Sequence, residues 1–214
     1  MISKLGRFPT KRVKKFQTFL YQGEVPRNSF VIKEGVIRIY NINSKGEENV
    51  ITFLTEKSIL PAEWIFDKSP VSMYYYEALS DCVVYVIPKE KLLEIIKSNE
   101  GSELYGVVTA QLVSSMVHIN ALEQSKASDK LLYTLQHLVL SFGEQRGTNL
   151  SRIKLRLTHQ DIAHIMGLTR ETTALELGKL KKKGVISYEK QRYLVRTDKL
   201  LRLLGEEDFK NVRL

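Results

Sequence analysis

Residues 157–186 read LTHQDIAHIMGLTRETTALELGKLKKKGVI, and local signals divide them into two short helices. Thr158-His159-Gln160-Asp161 sets a hydroxyl at an N-cap and an acid three residues on, a capping box with Asp in place of Glu or Gln. Gly167 fits the left-handed position that ends a helix, so the first helix is short. Ile162 and Met166 share its inner face, and Ala163 is small enough to let another helix approach. Thr169 caps the second helix. Residues 169–173 of that helix, TRETT, offer no apolar atoms except threonine methyls, and its core face comes later, at Leu177 and Leu180. A helix built only for burial brings its apolar residues in from the first turn.

Two helices joined by a tight glycine-containing turn make a helix-turn-helix. In that motif the second helix enters the major groove of DNA with its N-terminal residues against base edges, which accounts for the polar opening. Arg170 suits guanine O6 and N7, and the Glu171 carboxylate suits cytosine N4. Thr158 and Thr169 offer hydroxyls and helix-start N–H groups to phosphate. Lys179 and the lysines at 181–183 extend the positive surface. Beyond Gly184, VISY (185–188) and RYLV (192–195) flank Glu189-Lys190-Gln191 and read as a small hairpin, a wing beside the recognition helix. The phosphate contacts expected are Thr158, His159, Gln160, Thr169, Thr172, Lys179, Lys181, Lys190 and Arg192.

Charge agrees with a polyanion partner. The net +9 of the 214 residues is unevenly spread. Residues 1–15 hold six Lys/Arg and no acid, residues 16–149 hold 12 basic and 16 acidic residues, and residues 150–214 hold 15 basic and eight acidic. A mildly acidic middle joined to a basic C-terminal part implies two domains, the second facing polyanions. No apolar run reaches the ~18–20 residues of a membrane helix, and the N-terminus lacks the unbroken apolar run of a secretory signal. The single cysteine, Cys82, excludes an internal disulfide and a CxxC redox pair. A cytoplasmic protein with no membrane association is expected.

The rest of the chain reads as strands and then helices. GVIRIYNI (35–42) and ENVITFLT (48–55) flank turn residues 43–46, and SMYYYEAL (72–79) and CVVYVI (82–87) form a similar pair around Ser80-Asp81. Pro88 ends the last strand and a helix follows. Between Ser102 and Lys126 there is no proline and one glycine, and Tyr105, Val108, Leu112, Ser115, Ile119 and Leu122 recur at heptad-like spacing. That narrow stripe fits a two-helix seam and a dimer axis. A second stripe, Leu104, Val107, Val113, Met116 and Val117, is placed to pack on the β module. A further helix runs from Ser128 to Phe142, Gly143 stops it, and residues 144–149 read as a polar loop.

The pattern TxxDIAxxxGxTRETxxxxLxxLxxxGxI resembles the winged helix-turn-helix of the cyclic-AMP receptor protein/fumarate-nitrate regulator (CRP/FNR) family. It is carried by Thr158, Asp161, Ile162, Ala163, Gly167, Thr169, Arg170, Glu171, Thr172, Leu177, Leu180, Gly184 and Ile186. The order of β module, long helix and winged helix matches as well. The resemblance implies an α+β chain: a basic N-terminal arm (1–15), a sensor β-roll of the cyclic-nucleotide-binding, jelly-roll type (16–98), a dimerisation helix (99–127) and a winged helix-turn-helix domain (128–214). It implies a homodimeric transcription regulator on an inverted-repeat operator in double-stranded DNA, with RNA polymerase as a further partner. The family often places a second base-reading arginine one turn after the glutamate, frequently preceded by serine. Here those positions hold Ala174 and Leu175, neither of which donates a hydrogen bond. Leu175 is left to touch a thymine methyl or merely to pack.

Family members that bind a cyclic nucleotide carry a Gly-Glu pair followed by Arg-Ser or Arg-Thr at the phosphate. Aligned back from Cys82, Ser72 and Met73 stand where Arg-Ser would be, and no Arg or Lys lies between Lys68 and Lys89. A cyclic phosphate needs a fixed cation, so a response to cAMP is not expected. Glu63 takes the place of the ribose-binding glutamate, but Pro61-Ala62 breaks the pattern before it. If an effector pocket exists, Glu63, Trp64, Phe66, Ser72, Met73, Tyr74 and Tyr76 are its candidate lining, the aromatic ones serving otherwise as core. Cys82 reads as a small buried apolar residue, and His118 and His137 as surface or packing residues. His159 and His164 are five apart, not the four that would pair them on one helix face for zinc. No metal, cofactor or catalytic grouping is read, and Glu47-Glu48 reads as solvated charge. The competing reading is a low-specificity architectural DNA binder with a vestigial sensor.

Overall fold

The structure is a computed structural model that describes residues 5–98 and 102–205. The chain divides into two compact units, 1–112 and 113–214. The first unit is a sandwich built from β1 (Thr10–Val13), β2 (Thr18–Leu20), β3 (Ser29–Glu34), β4 (Ile37–Ile42), β5 (Glu48–Leu54), β6 (Ile59–Leu60), the short α1 (Ala62–Ile65), β7 (Tyr75–Ala78) and β8 (Cys82–Ile87), and closed by α2 (Lys89–Lys97).

The strands form two antiparallel sheets, β1-β8-β3-β6 and β2-β7-β4-β5. Between them lie Val13, Leu20, Phe30, Ile32, Ile37, Leu54, Tyr76, Ala78, Cys82 and Val84, all buried. The outer face of the first sheet, at Val31, Ile59, Tyr85 and Ile87, is covered by Ile65 of α1 and by Leu92 and Ile95 of α2. Cys82 is buried in the inter-sheet core, where burial pushes its thiol up. Gly35 is required beside it: its φ is +99°, and a Cβ there would stand 2.5 Å from Cys82 Sγ.

The sandwich corrects three expectations. Residues 10–13, set apart as part of a basic arm, pair with Cys82–Tyr85 as a sheet strand, and Leu5 is fully buried. Residues 1–4 of that arm lie outside the described residues. The hairpin expected around Ser80-Asp81 does not form. β7 pairs with β2 and β4, β8 pairs with β1 and β3, and Ser80-Asp81 carries the chain across from one sheet to the other. Glu48 is not merely solvated: its carboxylate lies 2.7 Å from the guanidinium of the buried Arg38, whose Nε donates to Glu77 at 3.0 Å. A buried guanidinium needs such partners.

Helix α3 (Ser102–Glu123) belongs to the first unit up to Leu112 and to the second from Val113. Of the second stripe, Val107, Val113 and Val117 are half-buried, Met116 is exposed, and the Leu104 side chain lies outside what is described. Gln111 Nε2 donates to Thr52 Oγ1 at 2.8 Å.

The second unit continues with α4 (Ala127–Phe142), β9 (Gly143–Gly147), β10 (Leu150–Ile153), α5 (His159–Met166), α6 (Arg170–Lys182), β11 (Ile186–Glu189), β12 (Arg192–Arg196) and α7 (Thr197–Leu204). Its sheet runs β11-β12-β10-β9. The polar loop expected at 144–149 is therefore mostly strand, stapled by Arg152 on the Glu144 carboxylate at 2.7 Å. Leu131, Leu135 and Leu138 of α4 are fully buried, as are Ile162, Ala163 and Met166 of α5. Each such leucine contributes about 1.5–3 kcal/mol on burial.

Of the two readings of His118 and His137, packing holds. Their rings stack at 5.2 Å in the interior of this unit. His118 Nε2 lies 3.0 Å from the Ile165 carbonyl, which only accepts, so that nitrogen carries the proton. His137 Nε2 lies 3.0 Å from Ser114 Oγ. Burial, with His118 beside it, pushes His137 down to about 3. It therefore stays neutral in the fold and takes a proton only on unfolding. The stability this gives is complete above the unfolded value of ~6.5 and is lost as pH falls from there toward 3, by about 1.4 kcal/mol per pH unit. Urea unfolding at pH 7 and pH 5 should show a loss of about 2 kcal/mol that His137→Asn removes. An unchanged slope in the variant would dismiss His137 as the cause.

Candidate nucleic-acid interface

Both halves of the capping box form. Thr158 Oγ1 accepts from the Asp161 amide at 3.1 Å, and the Asp161 carboxylate accepts from the Thr158 amide at 2.7 Å. Gly167 ends α5 at φ 62°, in the left-handed region. Thr169 Oγ1 then accepts from the Thr172 amide at 3.2 Å and caps α6. The inward face of α6 is set by Thr173, Glu176, Leu177 and Leu180, all buried, and the Thr173 hydroxyl donates to the Thr169 carbonyl at 2.9 Å. Arg170, Glu171 and Leu175 consequently face solvent, with Ala174 half-buried beside them. Two caps fix where α6 begins, and its buried face fixes which side is offered outward.

The cations are arranged unevenly. Lys181 and Lys190 are exposed, while Lys179 Nζ lies 2.7 Å from the Glu176 carboxylate on its own helix. Thr158 spends both its amide and its hydroxyl proton on Asp161, so in this state neither is offered to a phosphate. The Thr169 hydroxyl donates to Thr172 Oγ1 at 3.0 Å, so its proton is spent within the helix start. His159 is half-buried, and Gln160 is exposed with its amide 2.6 Å from His164 Nε2. In the wing, β11 and β12 join through a two-residue turn at Lys190-Gln191, both at positive φ. Arg192 Nε donates to the Lys154 carbonyl at 2.8 Å, and the Tyr188 hydroxyl donates to the Leu157 carbonyl at 2.8 Å, tying the wing to the segment that leads into α5.

In the first unit, Glu63 is the centre of the candidate pocket. The Tyr76 hydroxyl donates to its carboxylate at 2.9 Å, and the Met73 amide donates to it at 3.0 Å. Burial and that carboxylate push the Tyr76 phenol up, so it remains a donor. Ser72 is fully buried with its hydroxyl on the Tyr74 carbonyl at 2.9 Å. The remaining lining residues do not converge there. Trp64 packs with the cluster outside the first sheet, where its carbonyl takes Lys89 Nζ at 2.8 Å. Phe66 and the Met73 side chain are exposed, and Tyr74 packs on the inter-sheet core.

The fold has known counterparts. A cyclic nucleotide-binding domain model matches residues 10–99, and a Crp-like helix-turn-helix domain model matches residues 130–203. An anaerobic regulatory protein of Bacillus subtilis (strain 168) is 30% identical over 201 residues, covering 89% of this chain and 81% of that protein. The chain belongs to the CRP/FNR family. The fumarate and nitrate reduction regulatory protein of Escherichia coli (strain K12), another CRP/FNR member, is 26% identical over 199 residues, covering 91% of this chain and 78% of that protein. A CRP-family transcriptional regulator of Thermus thermophilus shares the fold at a TM-score of 0.76 with 18% identity, over 92% of this chain and 97% of that one. The CRP/FNR architecture of β sandwich, long helix and winged helix-turn-helix is thus present throughout. No helix among the described residues is long and apolar enough to cross a membrane.

Proposed function

We propose that this CRP/FNR member is a homodimeric, cytoplasmic, sequence-specific transcription regulator that carries no catalytic step and does not answer to cAMP or cGMP. It binds an inverted repeat in double-stranded DNA and works with RNA polymerase. The observation that carries the DNA reading is the exposed first turn of α6, where Arg170 and Glu171 stand outward from a helix doubly fixed by its cap and its buried face. A guanidinium and a carboxylate side by side match base edges, whereas a phosphate binder has no use for the acid. Affinity for selected and for random duplex at one salt concentration separates this from a low-specificity binder, for which the two would agree.

Dimerisation is supported by α3, which exposes Tyr105 at 78%, Leu112 at 58% and Ile119 at 57% along its length, with Val108 exposed and Ser115 and Leu122 half-buried on the same stripe. Indifference to cyclic nucleotides is supported by Glu63. The carboxylate that would receive ribose hydroxyls already holds Tyr76 and the Met73 amide, and residues 69–88 supply no cation for the phosphate. Calorimetric titration with cAMP and with cGMP should give no binding heat, and operator affinity should be unchanged by either. Micromolar binding that tightens the operator complex would end this part of the reading.

A further inference from the structure

The sequence leaves Leu175 two fates, packing or base contact, and the structure removes the first. Leu175 is 61% exposed on a helix whose buried face is complete without it. By helical spacing it lies on the outward face with Glu171, Gly178 and Lys182, at offsets of four, seven and eleven residues from the first. Single exposed leucines are ordinary on protein surfaces, but the neighbours of this one are not. Ala174 precedes it, and Gly178 follows it one turn on. Glycine is a poor residue for a helix interior, and the fold does not ask for it here. Its φ is not in the left-handed region, and a Cβ built on it would meet nothing within 4 Å. It leaves the helix surface open one turn beyond Leu175. Leu175 therefore stands as an apolar knob between two positions of minimal side chain, on the face that carries Glu171.

We infer that Leu175 reads the 5-methyl group of a thymine in the major groove, and so sets a T·A preference beside the pairs read by Arg170 and Glu171. The thymine methyl is the apolar feature that base edges present in that groove, and an aliphatic side chain recognises it by exclusion of water. Leu175 is about 6 Å along the helix axis from Glu171, at ~1.5 Å per residue. With base steps of ~3.4 Å, the thymine falls within about two base pairs of the Glu171 contact. This inference rests on the proposed DNA reading of α6.

The test uses the full-length protein and the best operator from random-duplex selection. Each thymine in a half-site is replaced in turn by deoxyuridine, which removes the methyl and leaves the pairing unchanged. For the wild type, one such replacement within about two pairs of the conserved G·C core should weaken binding roughly fourfold, the factor for losing one buried methyl-sized group. Leu175→Ala should bind the thymine and uracil operators equally while retaining the G·C preference; being so exposed, the position tolerates alanine without loss of core. A wild type indifferent to every uracil replacement, or a Leu175→Ala variant that still discriminates, overturns the inference and leaves the Arg170 and Glu171 reading standing. A protein that prefers no selected operator over random duplex overturns both.

Discussion

Leu112→Glu should yield a monomer that has lost its hold on operator DNA. Leu112 lies at the middle of the exposed α3 stripe, with Tyr105 and Val108 on one side and Ile119 on the other. Burial of such side chains against a partner contributes about 1.5–3 kcal/mol each, the kind of gain an apolar seam offers and water does not. In a parallel two-fold pair, residue 112 meets its own copy across the axis. Glutamate there sets two carboxylates against each other in a desolvated seam, and an uncompensated buried charge costs about 3–5 kcal/mol. The dimer should weaken by more than about 100-fold. Operator binding falls with it, because linked recognition helices hold two half-sites with an avidity gain of about 10²–10⁴. Light scattering at micromolar concentration and anisotropy with a labelled operator read the two effects. Circular dichroism should be unchanged, since position 112 is solvent-facing within one chain. A variant that remains dimeric would move the interface away from this face of α3.

The parts of the fold that were legible in the sequence are those whose cause is local. The caps at Thr158 and Thr169 and the turn at Gly167 depend on residues within one turn of one another, and each forms as its sequence implies. The apolar spacing on α3 is likewise a property of a single helix. Pairing between distant segments was not legible. Ser80-Asp81 is turn chemistry whether the chain makes a hairpin or crosses between sheets, and only the register of β7 on β4 and of β8 on β3 decides which. β9, GEQRG, offers no apolar alternation and is held by its partner strand and by the Glu144 ion pairs. The stacking of His118 on His137 joins two helices, so neither residue carries a mark of burial in its own neighbourhood. Among the pocket candidates, Glu63 and Tyr76 were brought together, but Trp64 packs with the cluster outside the first sheet and Phe66 is exposed.

Arg170→Ala should change which sequence is chosen, and Lys181→Ala only how strongly any sequence is held. Two recognition helices related by a two-fold axis reach one side of the duplex only if their half-sites lie about 10–10.5 bp apart, or a multiple of that. Within each half-site the Arg170 guanidinium, solvent-facing and at the first helical position, can present two parallel donors to guanine O6 and N7. Its removal should cost about 1–3 kcal/mol on the best operator, roughly 5- to 150-fold, and should relax preference at one base pair. Glu171 beside it should retain its own preference for cytosine. Lys181 follows Arg170 and Glu171 by more than two helical turns and is exposed. A phosphate contact there releases counterions, so Lys181→Ala should weaken specific and random duplex alike and flatten the salt slope by about one unit per recognition helix. Lys179 differs from it because Glu176 already holds its ammonium at 2.7 Å, which lowers what a phosphate can gain. Selection from random duplex with wild type and both variants, followed by affinities across a salt series, separates the two roles. If Arg170→Ala returns the wild-type consensus, base reading belongs to another residue of α6.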